Sequence, residues 1–415
     1  MNSREESVLV AGFNTRPLAY SLTRAGYEVY AVDFFGDLDL YPYVKDCLIL
    51  TKKLKSSYDL IKTDYSEYLP LLILELLEKY PDIKYLVIGS GLDDALEERT
   101  HVMNEIKRKK YSIFNLNNNL EAIKKSRNII YIFKTLMDNG FKVPKTLPFE
   151  EVHFIANELE YPFVLKKRSG SGGINIYKIQ NKSDLSFRLN FLNSETFDPN
   201  NWLMQEYIKG NPVSCTTISN GIESEVISVN NQLVGEKALN SPKEFMYCGN
   251  IVPANLTEEV QRLIIDISLF LSTELSLKGI NGFDFVVKDE YPYLMEINPR
   301  IPGSIRVSED VMNLNLLDLH VKSFSKEGWD YVRETLKNAK FDGFATKMIY
   351  FAPKEIHQAL LNDINALEHV HDKSEPVKNL AKSEPVCTVL FKAATSSKSY
   401  LGALEVVEKI NKLIG

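Results

Sequence analysis

Cysteine is scarce in this chain and never paired. Cys47, Cys215, Cys248 and Cys387 stand singly along 415 residues, with no CxxC. That pattern argues against a zinc site or a disulfide framework and predicts reduced packing cysteines in a cytoplasmic protein. Histidine is also sparse, at six residues, and no catalytic triad is evident. No apolar run approaches the roughly 20 residues that span a bilayer; "PLLILELLEKY" carries acids and is too short. The basic surplus of a nucleic-acid binder is missing, since the net charge is −6 and the pI about 5.7. The opening "MNSREESVLV" is charged where a signal peptide is apolar, so the protein is not expected to be secreted.

What is present fits an ordinary globular protein: 44% hydrophobic and 25% charged residues. A prior of roughly 150 residues per domain allows two or three domains. "SVLVAGFNTRPLAYSLTRAGYEVYAVD" reads strand, loop, helix, strand, and a further strand, "IKYLVIGSG", follows a helix over residues 70–80. Such alternation builds a doubly wound parallel sheet. Asp33, closing the second strand, could hold a ribose, but "GFNTRP" has one glycine where a dinucleotide fingerprint needs three. Ligands of such sheets lie beyond the carboxyl ends of the strands. That makes Asn14, Thr15, Arg16, Ser90 and Asp93 candidates to touch a small substrate, with helix caps and turns as the plainer alternative.

The pattern over residues 119–140 predicts one long amphipathic helix carrying Lys124, Lys125 and Arg127, ended by Gly140. "YPFVLKKRSGSGGINIYKI" predicts a hairpin with a glycine-rich tip. Gly170, Gly172 and Gly173 lack side chains, so their N–H groups can approach an anion, and Lys166 is placed to aim at the same phosphates. A plain flexible hairpin is the alternative. Another strand, "WLMQEYIKG", is broken at Gly210; a helix is expected over residues 258–275.

"GFDFVVKDEYPYLMEINPR" predicts a second hairpin with its turn at residues 289–292. Side chains alternate along a strand, so Glu296, Asn298 and Arg300 share one face, and Asp284 is a plausible cross-strand neighbour of Glu296. A solvated edge strand would also explain the acids. Two adjacent carboxylates repel, however, and a divalent cation between them removes the problem.

Taken in order, the Lys166 strand with its glycine loop, "QEYIKG", and Asp284 with "EINPR" resemble the ATP-grasp superfamily over residues 125–300. "FATKMIYFAPKEI" and the segment from "SEPVCTVLF" onward are similar to the closing domain of its biotin-carboxylase-like branch. "GFNTRPLAYSLTRAGYEVYAVDFFGDLD", "GNPVS" and "INPRIPGS" resemble members described only as predicted carboligases. The resemblance implies an α/β and α+β chain of three parts. These are an N-terminal parallel domain at 1–115, an ATP-grasp domain at 116–330 with a lid near 143–203, and a small β-rich domain at 331–415.

It further implies that Lys166, with Lys125 or Arg127, binds the phosphates of ATP beneath the loop Ser169, Gly170, Ser171, Gly172, Gly173. Glu206, Tyr207 and Ile208 would hold adenine. Asp284, Glu296 and Asn298 would ligate Mg²⁺, two ions or Mn²⁺ in their place, and Arg300 and Lys166 would act on the transferred phosphoryl group. Many relatives have a ribose-binding acid where this chain has Pro212. The implied reaction activates a small carboxylate as an acyl phosphate for attack by an amine. Carboxylation through carboxyphosphate is the alternative, weakened because Ser304 stands where biotin carboxylase has a glutamate. A nucleotide-binding protein without turnover is a third. Expected partners are small molecules, with no nucleic acid or membrane, and a homodimer is compatible with the superfamily.

Overall fold

The computed structural model describes residues 6–55, 65–149, 159–168, 170, 172–173, 175–193 and 198–415. Its first layer is a parallel sheet of β1 (Ser7–Gly12), β2 (Glu28–Asp33), β3 (Asp46–Ile49), β4 (Tyr85–Ile88) and β5 (Phe114–Asn115), in the order β3-β2-β1-β4-β5. Alternation divides the strands between two cores. Val8, Val10, Val29 and Ala31 pack with Leu18 and Leu22 of the helix Arg16–Arg24. Leu9, Ala11, Tyr30 and Val32 pack with Leu69, Ile73 and Leu76 of the helix Tyr65–Lys79. Helices on both faces explain why these strands are almost wholly apolar. The strands β3 and β5 were not foreseen; they are short, and Asp46 and Asn115 interrupt the apolar signal.

The single helix expected over residues 119–140 is instead two, Leu120–Arg127 and Ile129–Asp138. Asn128 breaks it: its backbone leaves the helical region (φ −87°, ψ 85°) and its side chain caps the second helix at Tyr131 N. An asparagine amide competes with the helical ladder in this way more readily than an aliphatic side chain. The break matters because it ends the first helix at Arg127.

The next sheet has four antiparallel strands: β6 (Thr146–Pro148), β7 (Phe163–Lys167), β8 (Ile176–Ile179) and β9 (Trp202–Glu206), in the order β6-β9-β7-β8. The predicted β7–β8 hairpin is present, pairing Lys166 with Ile176.

An eight-stranded sheet completes the fold, in the order β14-β13-β10-β11-β12-β15-β17-β16. Its members are β10 (Asn211–Asn220), β11 (Ser224–Val234), β12 (Tyr247–Val252), β13 (Lys278–Lys288), β14 (Tyr291–Asn298), β15 (Phe344–Phe351), β16 (Val370–His371) and β17 (Pro385–Ala393). The β13–β14 turn is tighter than expected. Asp289 (φ 50°) and Glu290 (φ 58°) both adopt left-handed backbone, the conformation that matches the twist of a two-residue hairpin. One face of β10, β13 and β14 packs Phe283, Phe285 and Ile297 on the helix Glu258–Glu274 through Ile264 and Leu271. The C-terminal strands continue the same sheet and are covered by the helix Ser396–Ile414 through Val406 and Ile410.

The last segment also returns to the first sheet. Arg16 Nε donates to Asp372 Oδ1 at 2.8 Å, Leu38 N to Lys373 O at 2.8 Å, and Lys52 Nζ to Glu375 Oε1 at 2.6 Å.

Candidate active site

The site is built around the β13–β14 hairpin at the edge of the eight-stranded sheet. Asp284 lies opposite Glu296 and Gly282 opposite Asn298, with an irregularity just after Asp284. Asp284 accepts 2.8 Å hydrogen bonds on both oxygens, Oδ1 from Gln232 Nε2 and Oδ2 from Asn298 Nδ2. Burial, reinforced by the facing Glu296 carboxylate, nevertheless pushes its pKa up to about 7. Two facing carboxylates, with the Asn298 side-chain oxygen close by, make an oxygen donor set suited to a hard divalent cation.

Glu296 is held from the other side by Arg127 Nη1. The same guanidinium donates from Nε to Asp94 Oδ1 at 2.7 Å, and from Nη2 to Asp94 Oδ2 at 3.0 Å and to Gly170 O at 2.5 Å. Gly170 N in turn donates to Asp94 Oδ2 at 2.6 Å. Burial works against the Arg127 charge, but Glu296 and Asp94 overrule it and raise its pKa.

Lys166 enters the same cleft from β7 and reaches Met295 O at 3.4 Å. Its ammonium is enclosed. Burial lowers its pKa to about 8 against the attraction of Glu296, and Arg127 repels it further. Arg127, Lys166, Gly170, Gly173 and Glu296 therefore line one cleft, with Met295 beside them.

Arg300 follows the hairpin. Its Nε lies 2.8 and 2.9 Å from the two oxygens of Asp93, and Nη2 lies 3.4 Å from Asn298 Oδ1. Asp93 is buried, but Arg300 and Arg127 overcome its desolvation and hold its carboxyl below the usual range.

Lys125 lies outside this cleft. It forms an exposed pair with Glu121 at 2.9 Å, one helical turn back, while Arg127 turns inward. Ser169 and Ser171 fall outside the described residues. Gly172 has open space around it and φ +68°. Gly173 is different: a Cβ there would sit 1.9 Å from Phe245 O, so the loop crosses the 245–246 backbone at glycine-only distance.

Glu206, Tyr207 and Ile208 lie at the far end of β9, with Glu206 beside Phe163, three residues before Lys166 on β7. Glu206 Oε2 accepts from Lys145 N at 3.2 Å, Lys178 Nζ stands 4.1 Å over the Tyr207 ring, and Ile208 is buried.

The N-terminal candidates divide. Thr15 donates its N–H and hydroxyl to Asp33 at 2.7 and 2.8 Å, and Asp33 also accepts from Phe35 N and Gly36 N. Asp33 is therefore spent on its own loop. Asn14 caps Arg16 N, and Ser90 O accepts from Phe13 N. Of that group Asp93 reaches Arg300, just past the hairpin.

Several site residues went unnoticed in the sequence. Asp94 was legible as the second acid of "GLDD" at a strand end. Gln232, Ser214, Asn250 and Lys347 were not, because they meet only through sheet order. Ser214 pairs with Asp284, Gln232 with Asn250, and Asn250 with Lys347. Lys347 is buried and donates to Gly303 O at 3.0 Å, fixing the turn after Arg300.

Residues 128–304 match a family described as the ATP-grasp domain. An uncharacterised protein of Methanocaldococcus jannaschii is 27% identical over 92% of this chain and 88% of its own length. Among solved structures, the L-amino acid ligase of Bacillus licheniformis superposes with a TM-score of 0.68 at 16% identity, covering 98% of both chains. The biotin carboxylase domain of Hydrogenobacter thermophilus 2-oxoglutarate carboxylase, solved with MgADP and bicarbonate, gives 0.71 at 14% identity, over 99% of this chain and 93% of that one.

Proposed function

We propose, from the premise that residues 128–304 are an ATP-grasp domain, that this chain is an ATP-dependent ligase joining a small carboxylate to an amine. The observation that carries the reading is the convergence of Arg127, Lys166 and Glu296 in one glycine-edged cleft, with Asp284 and Arg300 beside it. Arg127 and Lys166 would bind the phosphates. The loop of Gly170, Gly172 and Gly173 would cover them, and Glu206, Tyr207 and Ile208 would hold adenine. Asp284, Glu296 and Asn298 would hold one or two Mg²⁺ ions, which when bound offset phosphate charge. Arg300, oriented by Asp93, would face the transferred group.

In this reaction a carboxylate oxygen attacks the γ-phosphorus and ADP leaves. The amine nitrogen then attacks the acyl carbon, phosphate leaves, and the nitrogen sheds a proton. The chain's share is positioning and charge compensation in an enclosed cleft, which needs little acid–base machinery. The B. licheniformis protein that shares this fold is an L-amino acid ligase, which makes amino acids the first probes. The carboxylase reading has less support. Ser304 is 2% exposed and its hydroxyl lies 3.4 Å from Thr216 Oγ1, so no base occupies that position.

The test is ADP release from Mg·ATP with a panel of amino acids, alone and in pairs, and with bicarbonate. Stimulation by amino acids supports ligation, and stimulation by bicarbonate alone supports carboxylation. Glu296→Gln is expected to abolish ADP formation while leaving the circular dichroism spectrum intact. Full activity in that variant would overturn the metal assignment.

A further inference from the structure

Each nitrogen of the Arg127 guanidinium already donates a hydrogen bond within the chain. Asp94 takes Nε and Nη2, Gly170 O takes Nη2, and Glu296 takes Nη1. Asp94 also takes the N–H of Gly170. One carboxylate thus holds two groups that a nucleotide phosphate would need, the guanidinium and a loop amide, through oxygens set 2.6 to 3.0 Å from their donors.

We infer that Asp94 is an internal competitor for the phosphate position, a residue that sets nucleotide affinity by yielding Arg127 and Gly170 N–H when a phosphate arrives. The inference rests on the reading of this cleft as the nucleotide site. Two partners could release Arg127, and the structure distinguishes them. Glu296 sits in the hairpin opposite Asp284, where a cation would retain it. Asp94 lies on the loop after β4, outside any strand and with no facing carboxylate to share a cation, so it is the partner free to move when a phosphate takes its donors. Asp93, next to it, is buried against Arg300 and keeps that loop anchored while Asp94 lets go. A phosphate carries more charge than a carboxylate and offers more acceptor oxygens, so it is the stronger partner for the same donors. Asp94 would therefore admit a polyphosphate and resist weaker anions.

The experiment titrates the full-length chain with a nonhydrolysable ATP analogue and Mg²⁺ by calorimetry. Asp94→Asn keeps the side-chain size and removes the charge; its affinity is expected to rise about tenfold. Asp94→Ala, which removes every acceptor, should show the same gain, and Asp94→Glu should stay within about twofold of wild type. Affinity equal to or below wild type in the folded Asn and Ala variants overturns the inference. Lys166→Ala must lose affinity whatever Asp94 does, so its loss together with an unchanged Asp94→Asn refutes the competitor role alone. No binding by the wild-type chain refutes the cleft assignment and this inference together.

Discussion

Glu309 gives a prediction whose sign and size come from the structure. It lies in the helix Ile305–Met312, directly after the Arg300 turn, and is 6% exposed. Its Oε1 accepts from Ser21 Oγ of the first helix and from Leu316 N at 2.8 Å, so it ties the first helix to the start of the helix Leu316–Lys322. Burial pushes its pKa from 4.5 up to about 7, and the bonds from Ser21 and Leu316 only partly offset this. The unfolded chain therefore releases this proton near pH 4.5, while the folded chain holds it until about 7. Between those values the unfolded state binds fewer protons, so stability falls as pH rises, and the loss is complete above about 7. At 1.36 kcal/mol per pH unit the full effect is about 3 kcal/mol, an upper bound because the site can relax.

Glu309→Gln keeps an acceptor for both donors and cannot ionise. The other titrating groups of the chain cancel in a comparison of variant with wild type. Urea midpoints followed by fluorescence should therefore nearly coincide at pH 5 and separate at pH 8, where the Gln variant is the more stable by about 1–3 kcal/mol. A gap of equal size at both pH values would refute the reasoning, and so would a Gln variant less stable at pH 8.

Lys166→Ala removes an enclosed cation from the cleft and should weaken binding of a nonhydrolysable ATP analogue about 10- to 150-fold, since a charged hydrogen bond is worth about 1.5–3 kcal/mol; unchanged affinity by calorimetry would place the phosphates elsewhere. Gly173→Ala puts a Cβ 1.9 Å from Phe245 O at φ +77° and should lower the same affinity about tenfold or more without moving the melting temperature by more than a few degrees; an unaltered titration would show that the loop does not pack on residues 245–246 when nucleotide is bound.

How far the site could be read from the sequence depended on the range of each signal. Glu296, Asn298 and Arg300 follow a period of two, and Asp284 follows from the turn a few residues away, so local rules were enough for the hairpin. The parallel sheet was legible because β1, β2 and β4 are long or strongly apolar; β3, "DCLI", is neither. The choice between Lys125 and Arg127 stayed open because it depended on where a helix ends, and one asparagine decided that. Gln232, Lys347 and the pairing of Asp93 with Arg300 escaped for a different reason. Each meets the hairpin across a large chain separation, 207 residues for Asp93 and Arg300, and no spacing rule reaches that far.

The charges of the cleft explain why a bound cation and a yielding acid belong together. Arg127, Lys166, Arg300 and the buried Arg99 face Asp93, Asp94, Asp284 and Glu296, so these groups are close to self-neutral. A triphosphate brought into this enclosure adds several negative charges to a set already in balance, and burying uncompensated charge is costly. Two changes restore the balance. A divalent ion arriving with the nucleotide would supply positive charge at Asp284 and Glu296. The withdrawal of Asp94 into water would remove a negative charge and free the Arg127 donors. Neither change would suffice alone: without the ion the hairpin acids would repel the phosphates, and without the withdrawal Arg127 would stay committed to its own chain. Nucleotide affinity in this protein should therefore respond steeply to Mg²⁺ in the wild type and less steeply once Asp94 has lost its charge.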